Sequence, residues 1–265
     1  MTSRITKRLT ELLNDSTASV EEVATVISGD PPAAAQVLRA ANSPYYGFHR
    51  TISSVRDASC LIGMTTLRTM LRIPQTPSAV SFGDSDRMER VATHSRAVAH
   101  AAKIVARRVY FPNRDKVYAA GLLHDIGKFV IASGSAREQS EIDRLIRSYR
   151  IPATQAEMLV LGSDHAAIGA SVLNQWDLPS SIVEAVRLHH HPTRSENALD
   201  LCGIVSLANI IAHRAGLGVA PEVYELDPVL LDYFGLSRAS IETMEHQLED
   251  LWPDSEAQLE MSSVR

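Results

Sequence analysis

Apolar residues recur at helical spacing in almost every segment of this chain, and no stretch alternates apolar with polar residues as a half-buried strand would. That pattern restricts the fold to helices packed on helices, because a face repeating every three to four residues cannot line one side of a sheet. Ile5, Leu9, Leu12 and Leu13 mark a first helix. Ser19 and Glu22 form a capping box ahead of Val23, Ala24 and Ile27, and Gly29 stops that helix. Asp30 caps and Pro31 opens the next one, which buries Ala34, Val37, Leu38 and Ala41 and ends near Asn42-Ser43-Pro44. Two short helices follow, one ended by Gly63 and one carrying Leu67, Met70 and Leu71. The stretch 74–84, with its Pro, Ser and Gly, is the best internal boundary.

A long helix is expected from Asp84 to Arg108, with Met88, Val91, Val98, Ala102 and Val105 inward and Arg96, Lys103 and Arg107 opposite. Val117 to Ile131 reads as one helix that is apolar almost all round, hence buried on several sides, although it holds His124, Asp125 and Lys128. A charged helix (141–149) and another (154–161, stopped by Gly162) lead to Ser163 as the expected N-cap of a stripe through His165, Ile168, Val172 and Trp176. Pro179 and Ser180 open a helix that ends in His189-His190-His191-Pro192. Leu201, Ile204, Val205, Ala208 and Ile211 share a face of the next. Two C-terminal helices precede a polar tail expected to fray from Asp254. The fold class is all-α, a multi-helix bundle of about a dozen helices.

Composition excludes several functions. The 265 residues are 45% hydrophobic, enough for a core without staples, and two cysteines (Cys60, Cys202) cannot build a disulfide framework. The N-terminus carries charges where a signal peptide needs an apolar run, and no stretch approaches the roughly 20 apolar residues of a membrane span. A cytoplasmic location, with no membrane partner, is expected. A net charge of -5 argues against a nucleic-acid surface, so no direct nucleic-acid binding is expected.

Of ten histidines, His94, His124, His165 and either His189 or His190 lie on or at the end of different helices, on the faces that apolar neighbours mark as buried. One such histidine is usually a hydrogen-bonded core residue; four on separate helices, with Asp125 beside one, point to a metal site. Imidazole and carboxylate suit iron, manganese or zinc, and a helical bundle can aim several at one interior point. At a helix C-terminus histidines also cap free carbonyls, so one of residues 189–191 is expected to face solvent. His49, His100, His191, His213 and His246 have no convergent partners and read as surface residues. Lys128, in an apolar helix, is either a phosphate contact or a side chain that reaches solvent.

Gly121-Leu122-Leu123-His124-Asp125-Ile126-Gly127-Lys128, with His94 thirty residues upstream, resembles the signature of the HD superfamily of metal-dependent phosphohydrolases. Asp30-Pro31, Leu38-Arg39-Ala40-Ala41-Asn42-Ser43, Ile52-Ser53-Ser54-Val55 and Leu61-Ile62-Gly63 resemble the HDOD family, the HD-related output domains of bacterial signalling proteins. Trp176-Asp177-Leu178-Pro179, His189-His190 and Leu207-Ala208-Asn209 fit it as well. The likeness implies an HDOD domain over residues 16–215, in an N-terminal part (16–75) and an HD-like part (84–215), with a C-terminal helical extension over 216–265.

Carried over residue by residue, the superfamily's metal pattern falls on His94, His124, Asp125, His165, His189 or His190, and Asn209, where active members hold an acid. Asparagine brings no charge, so a set with one carboxylate would hold one divalent ion more readily than two, and no second acid would take a proton from a bound water. Iron or manganese is expected ahead of zinc or magnesium. The Gly-Tyr-Pro element of cyclic-di-GMP phosphodiesterases does not follow the paired histidines. The resemblance therefore implies a non-catalytic regulatory module that contacts other signalling proteins, with a nucleotide ligand also compatible. The alternative is a phosphohydrolase acting on a nucleotide or phosphoester, with Asp125 and Lys128 as its catalytic residues.

Overall fold

The computed structural model describes residues 3–47, 51–71, 85–218 and 225–261. All regular structure among them is helical. The N-terminal part is built from α1 (Ser3–Asn14), α2 (Val20–Ile27), α3 (Pro31–Asn42) and α4 (Val55–Met70). A second part, which carries the HD-like signature, follows with α5 (Ser85–Arg108), α6 (Arg114–Leu123), α7 (Ile126–Ala132), α8 (Ala136–Tyr149), α9 (Ala153–Leu161), α10 (His165–Gln175), α11 (Ser180–Leu188) and α12 (Leu199–Arg214), and α13 (Pro228–Phe234) and α14 (Arg238–Met261) are the last described elements. The boundary at 74–84 and His49 lie outside the described residues.

The local signals act as their chemistry requires. Ser19 and Glu22 exchange both bonds of the capping box, Asp30 accepts from the Ala33 amide ahead of Pro31, and Gly63 breaks α4 into two segments with φ 74°. Asn42 is a clamp. Its amide donates to the Leu38 and Ile52 carbonyls at 2.9 and 2.8 Å and accepts from the Ile52 amide at 2.7 Å, holding together the two ends of the loop that carries Tyr45 and Tyr46. The Asn-Ser-Pro motif therefore has a structural task.

Both parts share one continuous apolar cluster, from Ile5 in α1 to Leu248 in α14. Its axis is α12, in which every residue from Leu201 to Asn209 is buried as α5, α6, α11 and α14 pack around it. α3 reaches across to α6 and α7.

Four expectations are corrected. The helix expected over Val117–Ile131 is two helices, because the chain turns at His124-Asp125 to lay α7 against α10. Asp164, rather than Ser163, caps α10, accepting from the Ala167 amide at 2.8 Å. Arg96 is not on the solvent side of α5 but buried, with Nη1 donating to the Gly29 carbonyl at 3.3 Å and Nη2 to Thr93 Oγ1 at 3.0 Å. It thereby ties α5 to the α2–α3 corner. The backbone of α14 continues through Pro253 to Met261 instead of fraying at Asp254.

The turn into α7 depends on Gly127. A β-carbon there would run into the His165 carbonyl and come within 2.9 Å of the Gly169 amide nitrogen, both backbone atoms of α10. Gly127→Ala is expected to cost at least the 1–3 kcal/mol or so typical of overpacking, read as a lowered chemical-denaturation midpoint. An unchanged midpoint would contradict this packing.

Candidate functional site

Five elements deliver the candidate residues to one interior point. α5 supplies His94, the α6–α7 corner supplies His124 and Asp125, α10 opens with His165, the chain leaving α11 supplies His189 and His190, and α12 supplies Asn209. His94, His124, Asp125, His165 and His189 are each 1% exposed or less. Both members of the His189-His190 pair point inward, which the sequence left open: His190 Nε2 lies 3.0 Å from His165 Nε2. Their ligand-type atoms fall into two groups, His94-His124-Asp125 and His165-His189-His190, each within 4.8 Å. Asp125 sits between them. Its Oδ2 is 3.4 Å from His124 Nε2 and 4.0 Å from His94 Nε2, while Oδ1 is 3.2 Å from His165 Nε2 and 3.9 Å from His189 Nε2.

The protonation pattern follows from the outer partners. His94 Nδ1 meets the Leu217 carbonyl at 2.8 Å, His124 Nδ1 the Gly121 carbonyl at 2.8 Å and His189 Nδ1 the Val186 carbonyl at 2.7 Å. A carbonyl only accepts, so in each ring Nδ1 carries the proton. Burial foremost holds all three below the usual imidazole range, His189 down to about 3, so they are neutral and their Nε2 atoms are bare lone pairs. These lone pairs face a carboxylate that is itself only an acceptor. Burial works to raise the Asp125 carboxyl, but the Lys128 ammonium and the charged His165 hold it well below the ordinary range.

The result is a set of acceptors with too few protons among them. His124 Nε2, His189 Nε2 and Asp125 Oδ1 are buried and make no hydrogen bond. His94 Nε2 lies 2.9 Å from Asn209 Oδ1; with both atoms acceptors that contact needs a cation, or the amide must turn round to present its N–H donors. Buried polar atoms of this kind cost free energy unless satisfied, and a divalent cation held in either group of three would satisfy the lone pairs turned toward it. The donor set therefore fits a metal ion.

His165 differs. Its Nδ1 is 2.6 Å from Glu157 Oε2, and the same oxygen accepts from the His165 amide at 2.8 Å. Burial and Lys128 oppose its protonation, but Asp125 and Glu157 outweigh them and push it up to about 9. Lys128 Nζ donates to Asp125 Oδ2 at 2.7 Å, so its ammonium turns inward and its side chain is 17% exposed. Beside His189, His190 and Asn209 is a cavity of about 140 Å³, rimmed by Glu225 and Asp227.

Two neighbours escaped the sequence reading. Glu157 is buried, and its signal was an acid among apolar residues eight positions before His165. His213, read as a surface residue, is half-buried with its ring centroid 4.6 Å from that of His94; its signal was its position one turn beyond Asn209 on α12. His100 is also half-buried, against Tyr118 and Trp252, whereas His191 and His246 are exposed as expected.

His213 is pushed down to about 3, by burial first and then by the Lys128 charge. An unfolded histidine gains its proton near pH 6.5 and the folded one near 3, so between those values the unfolded chain holds the extra proton and stability falls as the pH drops. In chelator-treated protein, His213→Gln is expected to remove one proton from this dependence, about 1.4 kcal/mol per pH unit, measured by urea unfolding at pH 4 to 6. An identical slope in the variant would contradict the burial of a neutral imidazole.

The sequence profile of the HDOD domain matches residues 1–192. An uncharacterized protein of Treponema pallidum (strain Nichols) is 23% identical over 195 residues, which make up 72% of this chain and 37% of that protein. The chain thus spans little more than a third of that relative's length. Among solved structures, the MmoQ response regulator of Methylococcus capsulatus str. Bath is similar with a TM-score of 0.73 at 21% identity, over 92% of this chain and 95% of that one. An HDOD domain protein of unknown function from Geobacter sulfurreducens is similar with a TM-score of 0.56 at 26% identity, over 100% and 93%. With nearly three quarters of its length matched by one family profile, this chain belongs to the HDOD domain family.

Proposed function

We propose that this chain is a regulatory signalling module that holds a divalent cation in its histidine cluster and does not turn over a substrate there. The observation that carries the reading is enclosure. The five convergent residues are 1% exposed or less, and the adjoining cavity of about 140 Å³ is well below the roughly 300 Å³ at which small-molecule sites begin. A phosphoester has no room to bring its reacting atom to the cluster.

His94, His124, Asp125, His165, His189 and His190 would hold the cation, with the Asn209 carbonyl as a neutral further donor. An ion bound there would supply positive charge to the Nε2 lone pairs and polarise any ligand oxygen that reached it. The chain's own residues do the rest. The backbone carbonyls of Gly121, Val186 and Leu217 orient three rings, and Glu157 orients the fourth. Lys128 neutralises Asp125 and is thereby occupied, where a hydrolase would need it for substrate phosphate. Asn209 cannot take a proton from water, so the position where a second acid would serve hydrolysis holds none. Imidazole suits iron and zinc, and the carboxylate with the Asn209 carbonyl makes room for manganese.

Output then passes through surface contacts with other signalling proteins, from a functional unit at residues 16–215 followed by an extension at 216–265. No helix among the described residues is long and apolar enough to cross a membrane. Both cysteines are free thiols, which agrees with a reducing compartment such as the cytoplasm.

Elemental analysis with thermal unfolding tests the reading. The protein is expected to carry about one divalent ion per chain and to be silent against nucleotide, cyclic-dinucleotide and phosphoester substrates. A metal concentration 100-fold above its Kd should stabilise the fold by about 2.7 kcal/mol, and chelator should reverse the effect. Hydrolysis that disappears in Asp125→Asn would overturn the non-catalytic reading in favour of a phosphohydrolase. A melting curve that ignores both metal and chelator would overturn the cation.

A further inference from the structure

A second cavity, which shares no lining residue with the histidine cluster, lies where the N-terminal part meets the HD-like part. It has a volume of about 420 Å³, within the range of small-molecule sites, and is lined by α2, the start of α4, α5 and α6. Two cations, Arg56 and Lys103, and two carboxylates, Glu21 and Asp115, face it from all four of these helices. None of the four charged groups is engaged in an ion pair with another, so the cavity keeps both signs of charge available. Its wall is aromatic. The Tyr118 ring is fixed by its hydroxyl, which donates to the Ser28 carbonyl at 2.9 Å, and His100 packs edge-on against it at 5.5 Å. Lys103 Nζ lies over the same ring at 5.4 Å from its centroid.

These groups select a ligand by elimination. Two exposed cations on a concave surface attract an anion and suit phosphate oxygens. Two carboxylates beside them would repel a ligand that is anionic throughout, but they accept hydrogen bonds from sugar hydroxyls or an exocyclic amine. A bare sugar phosphate would leave the aromatic wall unused, whereas a nucleobase offers a flat face and edge to it. We infer that the cavity between the two parts binds a nucleoside monophosphate, with Arg56 and Lys103 on the phosphate, Glu21 and Asp115 on the ribose or base, and Tyr118 and His100 against the base. Bound there, the ligand touches two of the four N-terminal helices, α2 and α4, and two helices of the HD-like part at once, so its occupancy changes how firmly the parts are held together. The inference is independent of any metal in the histidine cluster.

Isothermal titration of the full chain with AMP and GMP tests it. Saturable binding is expected, at least about tenfold tighter than for adenosine or inorganic phosphate, since each lacks one half of the recognised groups. The pair Arg56→Glu with Lys103→Glu should weaken AMP by about tenfold or more. Both side chains are exposed, so the fold should survive, and circular dichroism melting checks that; the milder alanine pair serves if it does not. Arg187→Glu, an exposed charge reversal on α11, should leave the affinity unchanged, as should chelator. No saturation by either nucleotide in the millimolar range would overturn the proposal. So would equal binding of inorganic phosphate, full affinity in a folded double variant, or affinity that moves with chelator, which would place the nucleotide at the histidine cluster instead.

Discussion

A single carboxylate, Asp125, sets the terms on which the HD-like part packs. It is 1% exposed and stays ionised, and removing such a group from water costs several kcal/mol unless positive charge and hydrogen-bond donors surround it. Within the chain the offset comes from Lys128 at 2.7 Å and from His165, pushed up to about 9. It is incomplete, because Oδ1 makes no hydrogen bond and the Nε2 atoms of His124 and His189 are bare beside it. Replacing Lys128 alone would leave His165 as the one charged partner of the carboxylate within the cluster, since burial keeps the other imidazoles neutral. The cluster is thus an electrostatic demand as well as a geometric arrangement, and a cation would meet it.

That demand explains the route of the backbone around it. α6 must stop at Leu123 so that both His124 and Asp125 face inward from one corner, and α7 must leave that corner flat against α10. Gly127 makes the close approach feasible, and it brings His165 to within 3.2 Å of Asp125. Carbonyls left free at the ends of α6 and α11 then become the acceptors that fix the His124 and His189 rings. Buried Arg96, two residues after His94 on α5, carries the same rigidity into the N-terminal part through Gly29.

The sequence disclosed what depends on periodicity and capping. The buried faces of α3, α5 and α12, the capping box at Ser19, the break at Gly63 and the inward histidines were all readable, because each follows from local chemistry. The corner at His124-Asp125 was not. An apolar run from Val117 to Ile131 continues a helix as well as it turns one, and the contact that decides is with α10, forty residues away. Glu157 was missed for a related reason: an acid in an amphipathic helix looks solvated until the helix is placed against His165. Arg96 and His213 were assigned to the surface on charge and spacing alone, and tertiary partners drew both inward. His189 and His190 needed no choice, since the α11 terminus lets both rings reach the cluster.

The histidine cluster is a holder of charge and the rest of the chain its frame. His94, His124 and His189 present Nε2 lone pairs inward, because their Nδ1 protons are spent on backbone carbonyls. Long-range proton–nitrogen NMR correlation of the imidazole nitrogens, recorded before and after addition of diamagnetic Zn²⁺, reads this directly. The account predicts the Nδ1–H tautomer for all three rings in chelator-treated protein and a coordination shift of their Nε2 resonances on adding metal. Protonated Nε2 atoms, or resonances unmoved by Zn²⁺, would contradict it.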